Sequence, residues 1–122
     1  MNKINILESN KMLAEFLCTT QKTEGIDDCY IYGGIAYHID DLNFHKDWNW
    51  LMEVVEKIES LGYISNQDSR ICEGSLKPIY YFRIFIKHYR GQNVGYSKSN
   101  LRIEAVYNAC IEFVKWYNLK SK

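Results

Sequence analysis

The chain carries no net charge: fifteen lysines and arginines balance fifteen aspartates and glutamates. That balance removes the bulk attraction that draws proteins to long nucleic acid or to acidic membrane surfaces, while leaving room for a local patch. It also removes the mutual repulsion that keeps copies apart, so self-association as a homo-oligomer is expected. Closely spaced cysteine pairs are missing too. Cys18, Cys29, Cys72 and Cys110 include no CxxC, so no zinc ligand set is expected. Each lies in an apolar segment and reads as a free thiol of a reducing compartment. No apolar run approaches membrane-spanning length, and MNKINILESNK lacks the apolar core of a signal peptide, which points to a cytoplasmic protein with no membrane partner. GxSxG, HExxH, GxxxxGK[ST], GxGxxG and the HxE…PCxxC pattern are all absent, so the sequence indicates no reaction class and no cofactor.

What remains is a chain of one domain's size, 122 residues, with 47% hydrophobic residues and ten tyrosines. That is enough to bury a core without disulfides or metal. One helix is expected over Glu8 to Leu17, with Ser9 or Asn10 as its cap. Cys29 to Ile39 reads as a strand interrupted by Gly33-Gly34, where a bulge or a turn is expected. His45 to Gly62 is the clearest helix: Asp47 is a good N-cap, and Trp48, Leu51, Met52, Val55 and Ile58 share a face. Trp50, Val54 and Leu61 add a second apolar side, which predicts a central, sandwiched helix. A strand over Tyr63 to Cys72, with a possible turn at Asn66 to Ser69, is followed by one over Ile79 to Tyr89. In the latter, Tyr80, Phe82, Ile84 and Ile86 alternate with Tyr81, Arg83, Phe85, Lys87 and Tyr89, the first set facing the helices. Arg90 to Ser99 reads as a glycine-containing loop. The last helix follows, with Ile103, Val106, Cys110, Phe113 and Tyr117 on one face. The expected fold is α+β, single domain 1–122, in the order α-β-α-β-β-α, with a small, mostly antiparallel sheet covered by helices on one face.

The strings MLAEFL (Met12 to Leu17), HKDWNWLMEVVEKIESLGY (His45 to Tyr63) and IEAVYNACIEFVKWYN (Ile103 to Asn118) resemble those of a group of short open reading frames in phages and prophages of gut bacteria. The resemblance spans about half the chain, on helical segments that read as scaffold. It implies a phage or mobile-element origin, hence a host-cell cytoplasmic protein. By analogy of origin it also implies a counter-defence factor of the kind that sequesters nucleotide-type immune signals.

Two places carry candidate binding chemistry. The first is the loop Arg90 to Asn100, running into a helix start whose free amides attract anions. Ser97 and Ser99 would add hydroxyl donors, and Arg90 and Lys98 charge. The competing reading is an ordinary helix start with Ser99 as N-cap. The second is the outer face of the third strand: Tyr81, Arg83, Phe85, Lys87 and Tyr89. There rings can stack on a base and cations can neutralise a phosphate. The competing account is a dimer interface. His45 with Asp47 and Asp40-Asp41 can be drawn as a metal cluster, but its spacing fits no recognised ligand set. His38 and His88 read as polar strand ends. The expected function is non-enzymatic sequestration of a small anionic, nucleotide-like ligand. The alternatives are a module that binds a host defence or regulatory protein, and an enzyme using His38, His45 or His88.

Overall fold

A computed structural model of the chain describes residues 3–17, 29–32, 35–38, 41–71, 74, 77–86 and 93–120, with side chains described for 6–17 and, within those ranges, from 41 onward. The elements are α1 (Lys3–Phe16), β1 (Cys29–Tyr32), β2 (Ile35–His38), α2 (Trp48–Ser60), β3 (Tyr63–Ile71), β4 (Pro78–Ile86), β5 (Asn93–Ser99) and α3 (Arg102–Lys120). The class is α+β, with an antiparallel three-stranded sheet in the order β3-β4-β5.

The order differs from the expected one in two places. The segment read as a single first strand is an antiparallel pair, β1 and β2, in which Tyr32 faces Ile35; it forms a two-stranded sheet of its own. Gly33-Gly34 lies outside the described residues. The segment read as a glycine loop contains β5, which pairs along β4 from Tyr80↔Ser99 to Phe85↔Asn93, with an irregularity between Ile84 and Phe85.

The glycine that suggested a loop is there for another reason. A Cβ on Gly95 would lie 2.6 Å from the carbonyl oxygen of Ala109 and 3.0 Å from the Cβ of Phe113. The backbone of β5 thus runs directly against α3, and only a residue without a side chain fits that approach. Asn66 to Ser69, read as a possible turn, pairs continuously with Arg83 to Tyr80.

Alternation divides the sheet into two faces. Phe82 and Ile84 point into the core and are buried. Tyr63, in register with Ile86, sets its ring edge-on to Phe113 at 4.9 Å and to Trp116 at 5.8 Å. The helix across this face is α3, which packs on β4 and β5 and meets α1 and α2 elsewhere on its surface. It buries Ala105, Val106, Tyr107, Ala109, Cys110, Ile111, Phe113 and Val114. The central helix is therefore α3 and not α2. On α2 a single stripe, Leu51, Val54, Val55 and Ile58, is buried, whereas Trp48 is 37% and Leu61 41% exposed. Asp47 caps α2 as expected, its Oδ1 accepting from the Asn49 amide at 2.9 Å. The helix stops where Gly62 takes a φ of +98°, a left-handed conformation that glycine adopts without strain.

α1 begins earlier than Ser9 and Asn10 would suggest as caps, because neither is a cap: both lie inside the helix, and Asn10 is buried. Leu13, Ala14, Phe16 and Leu17 carry α1 into the core, with Phe16 edge-on to Phe113 and Tyr117. The segment before α2 contributes Leu42 and Phe44, both buried, so the alternation in Leu42-Asn43-Phe44 marks a core plug.

Three stability outcomes follow from these contacts. Gly95→Ala is expected to lower the unfolding free energy by about 1–3 kcal/mol through overpacking. Phe113→Ala is expected to cost about 3–5 kcal/mol, and Trp48→Ala well under half of that because of its exposure. Urea unfolding followed by circular dichroism checks all three; a Gly95→Ala chain as stable as its parent would contradict the close approach of β5 and α3.

Candidate functional site

The described helices that meet the sheet do so on the Phe82–Ile84 side, and no described helix covers its other face. Register places Asn66 beside Arg83, Asp68 beside Tyr81, Tyr81 beside Lys98, and Arg83 beside Tyr96. Cross-strand partners share a face, so Tyr81, Arg83, Phe85, Tyr96 and Lys98 form one surface. Arg83 and Lys98 are exposed, and Tyr81 and Phe85 are half-buried. The Arg70 guanidinium lies 5.7 Å from the centre of the Tyr81 ring, and that of Arg83 lies 6.0 Å from the Tyr96 ring. Arg70 Nε also donates to Asp68 Oδ2 at 3.3 Å, an exposed ion pair of little energetic weight. Beside them a depression of about 290 Å³ is lined by Asn66, Gln67, Asp68, Tyr81 and Arg83.

Of the residues singled out from the sequence, Tyr81, Arg83, Phe85 and Lys98 come together here. Ser97 and Ser99 do not: they pair with Phe82 and Tyr80 and so belong to the opposite face. Lys87, Tyr89 and Arg90 lie outside the described residues. The sequence hides Tyr96 because its segment reads as a loop, where alternation has no meaning; Asn66 and Asp68 are hidden because they fall in the possible turn inside the expected strand Tyr63 to Cys72.

The start of α3 has its own cleft, about 470 Å³, lined by Trp48, Tyr80, Asn100, Leu101, Arg102 and Ile103. Ser99 does not cap the helix. Its Oγ accepts from the Leu101 amide at 3.1 Å, and the Leu101 carbonyl takes the first helical bond, from Ala105. Arg102 sits 4.9 Å from the centre of the Tyr80 ring, a cation–π contact that holds its charge over the inner end of β4. A further groove of about 690 Å³ between α1 and α3 is lined by two carboxylates, Glu8 and Glu15, and two ammonium groups, Lys11 and Lys115, among other residues. With the signs balanced it selects for neither.

His45, which the sequence allows to be drawn with Asp47 and Asp40-Asp41 as a metal cluster, belongs instead to a polar node centred on the buried Asn10. Asn10 Nδ2 lies 2.9 Å from the Leu42 carbonyl oxygen and 3.0 Å from His45 Nδ1, and Tyr107 donates its hydroxyl to Asn10 Oδ1 at 2.9 Å. A carbonyl only accepts, so the amide nitrogen must face Leu42, and its second hydrogen then faces His45. That requires His45 Nδ1 to be an unprotonated acceptor. Burial, reinforced by the charge of Lys46, lowers the His45 pKa, in keeping with a neutral ring. Burial raises the Tyr107 pKa, partly offset by a hydrogen bond with Ser9, so the phenol stays a donor. Next to the node, a cavity of about 400 Å³ is lined by Ile6, His45, Leu101, Ile103, Glu104 and Tyr107, with Lys46 at its wall. Among the described residues, no group of three or more His, Cys, Asp or Glu side chains is arranged to hold a metal.

Burial pushes the Cys110 thiol well above its ordinary range, which leaves it inert as a nucleophile. No described helix is long and apolar enough to cross a membrane. The chain matches no protein-family model, and no curated protein or solved structure is significantly similar to it.

Tyr107→Phe removes the donor to Asn10 Oδ1 in a buried setting and is expected to cost about 1–3 kcal/mol, measured by urea unfolding. The pH dependence has a definite sign. A histidine whose folded pKa lies below its unfolded value of about 6.5 binds its proton more readily when unfolded. Its contribution is therefore complete above that pH and is lost as the pH falls below it. Thermal melts between pH 7.5 and 5 should fall more steeply for the parent chain than for His45→Phe; parallel profiles would contradict the neutral ring.

Proposed function

We propose that this is a phage-type binding protein that sequesters a small anionic, nucleotide-like ligand on the open face of the sheet and releases it unchanged. The observation that carries this reading is the sharing of one face by Tyr81, Arg83 and Lys98, beside the depression bounded by Asn66 and Asp68. Each part answers to a part of such a ligand. The Tyr81 ring offers a stacking surface for a base. Asn66 and Asp68 offer an amide and a carboxylate to its polar edge. Arg83 and Lys98 offer charge-assisted hydrogen bonds to phosphate. The origin and the counter-defence role rest on the resemblance of the helical segments to short phage open reading frames. Self-association, in the host cytoplasm, belongs to the same reading and is supported by the absence of net charge.

A second reading is favoured by the breadth of the face. Ile64, on the same side of β3, is 37% exposed, and Tyr96 is 36% exposed, so apolar and aromatic surface extends past the depression. That breadth suits a host protein partner.

Calorimetric titration against mono-, di- and cyclic nucleotides tests the first reading. Arg83→Gln and Lys98→Gln should each weaken binding roughly five- to tenfold, the value of a charge-assisted contact, with melting temperatures unchanged because both side chains are exposed. Chromatography of the released ligand should return it intact. No heat from any nucleotide, with a stoichiometric host protein captured instead, would favour the second reading and end the first.

A further inference from the structure

We propose that the open sheet face takes a short single-stranded oligonucleotide, engaging about three successive bases, in preference to a lone nucleotide. This rests on the reading that the ligand is nucleotide-like and lies on that face.

The argument is the placement of three rings. Tyr81 and Phe85 stand four residues apart on β4, and Tyr96 stands on β5 opposite Arg83, midway between them. With a rise of about 3.4 Å per residue and about 4.8 Å between strands, Tyr81 to Tyr96 and Tyr96 to Phe85 are each steps of about 8 Å along the face. That is the scale of one nucleotide step in an extended strand, and too long for the stacked bases of a duplex, about 3.4 Å apart. A mononucleotide would occupy one ring and leave two bare. Three bases would use the whole zigzag.

Charge points to the same occupant. The described charged side chains on this face of the strands are Arg70, Arg83 and Lys98 against Asp68, a local excess of positive charge in a chain with none overall. The cations are interleaved with the rings: Arg70 lies by Tyr81, Arg83 by Tyr96, and Lys98 next to Tyr81 in register. A base on Tyr81 or on Tyr96 therefore brings its phosphate near a guanidinium or ammonium. A second copy of the same face would set like charges against each other, so the face complements a polyanion better than it complements itself. Among the described residues the platform comprises three rings, a length suited to a short oligonucleotide.

The experiment is a length series. Fluorescence titrations of the full chain with thymidine monophosphate, and with single-stranded thymidylate oligomers of two, three and six residues, are compared with a duplex of equal charge. Affinity should rise roughly tenfold for each base added up to three, the scale of one base on an aromatic ring, and level off at six. Tyr96→Ala, at an exposed position, should remove one step of the rise and leave the melting temperature unchanged. Equal affinity for the monomer and the trimer would overturn the oligonucleotide proposal and leave the single-nucleotide reading standing. Equal affinity for the duplex would overturn it as well, because charge alone would then account for binding. No binding by any member, monomer included, would overturn both readings.

Discussion

The close approach of α3 to β5 is the constraint on which the other arrangements rest. At Gly95 the strand has no side chain, and the backbone of the helix takes its place. That contact fixes the helix across the inner face of the sheet, which lets Phe113 fill the space under Tyr63 and Trp116. It also decides where α1 and α2 can go, since both must pack on what is left of α3. The outer face carries no described helix as a consequence: Phe82 and Ile84 have been turned to one side, and Tyr81, Arg83, Tyr96 and Lys98 to the other. Core packing and candidate binding surface are thus two results of one alternation, read from opposite sides.

Asn10 ties the second layer to the first. An amide inside a helix and away from water is unfavourable unless each of its hydrogens and its oxygen finds a partner. Here Leu42, His45 and Tyr107 supply them, drawn from the segment before α2 and from α3. The bond to a main-chain carbonyl orients the amide, and the amide in turn sets the protonation of His45. Three parts of the chain that are distant in sequence are thereby held in one relative position by polar geometry as well as by apolar contact. Such a network specifies an arrangement more strictly than Leu or Val at the same points would.

Much of this was legible in the residues. The α2 cap at Asp47, the alternation of β4 and the buried face of α3 follow from local pattern, and local pattern is what a single sequence carries. The failures have a common cause. Asn10 resembled a cap because asparagine is a good one; that it is a core residue depends on Tyr107, ninety-seven positions away. Gly95 resembled a loop residue because glycine commonly is one; that it sits in a strand depends on where the helix backbone passes. Asn66 to Ser69 resembled a turn because four polar residues in a row usually make one, and they are a strand because Tyr80 to Arg83 is beside them. In each case a residue type with a strong local meaning was held by a distant partner to another one. The candidate face followed the same logic: its β4 part could be read from alternation, its β3 part was obscured by the possible turn inside a strand already expected there, and its β5 part was hidden in a segment read as a loop.

The polar run read as a possible turn has its own consequence at the border of the sheet. β3 is an edge of the sheet, nine residues long, and an edge of that length is an invitation to pair with another molecule's backbone. A protein with no net charge has no overall repulsion to prevent it. From Asn66 to Arg70 the exposed edge instead carries amides, a hydroxyl, a carboxylate and a guanidinium, groups that a stacked neighbour would have to strip of water. Pairing along this border is thus opposed locally by polar side chains, and replacing that run with β-branched residues would remove the barrier.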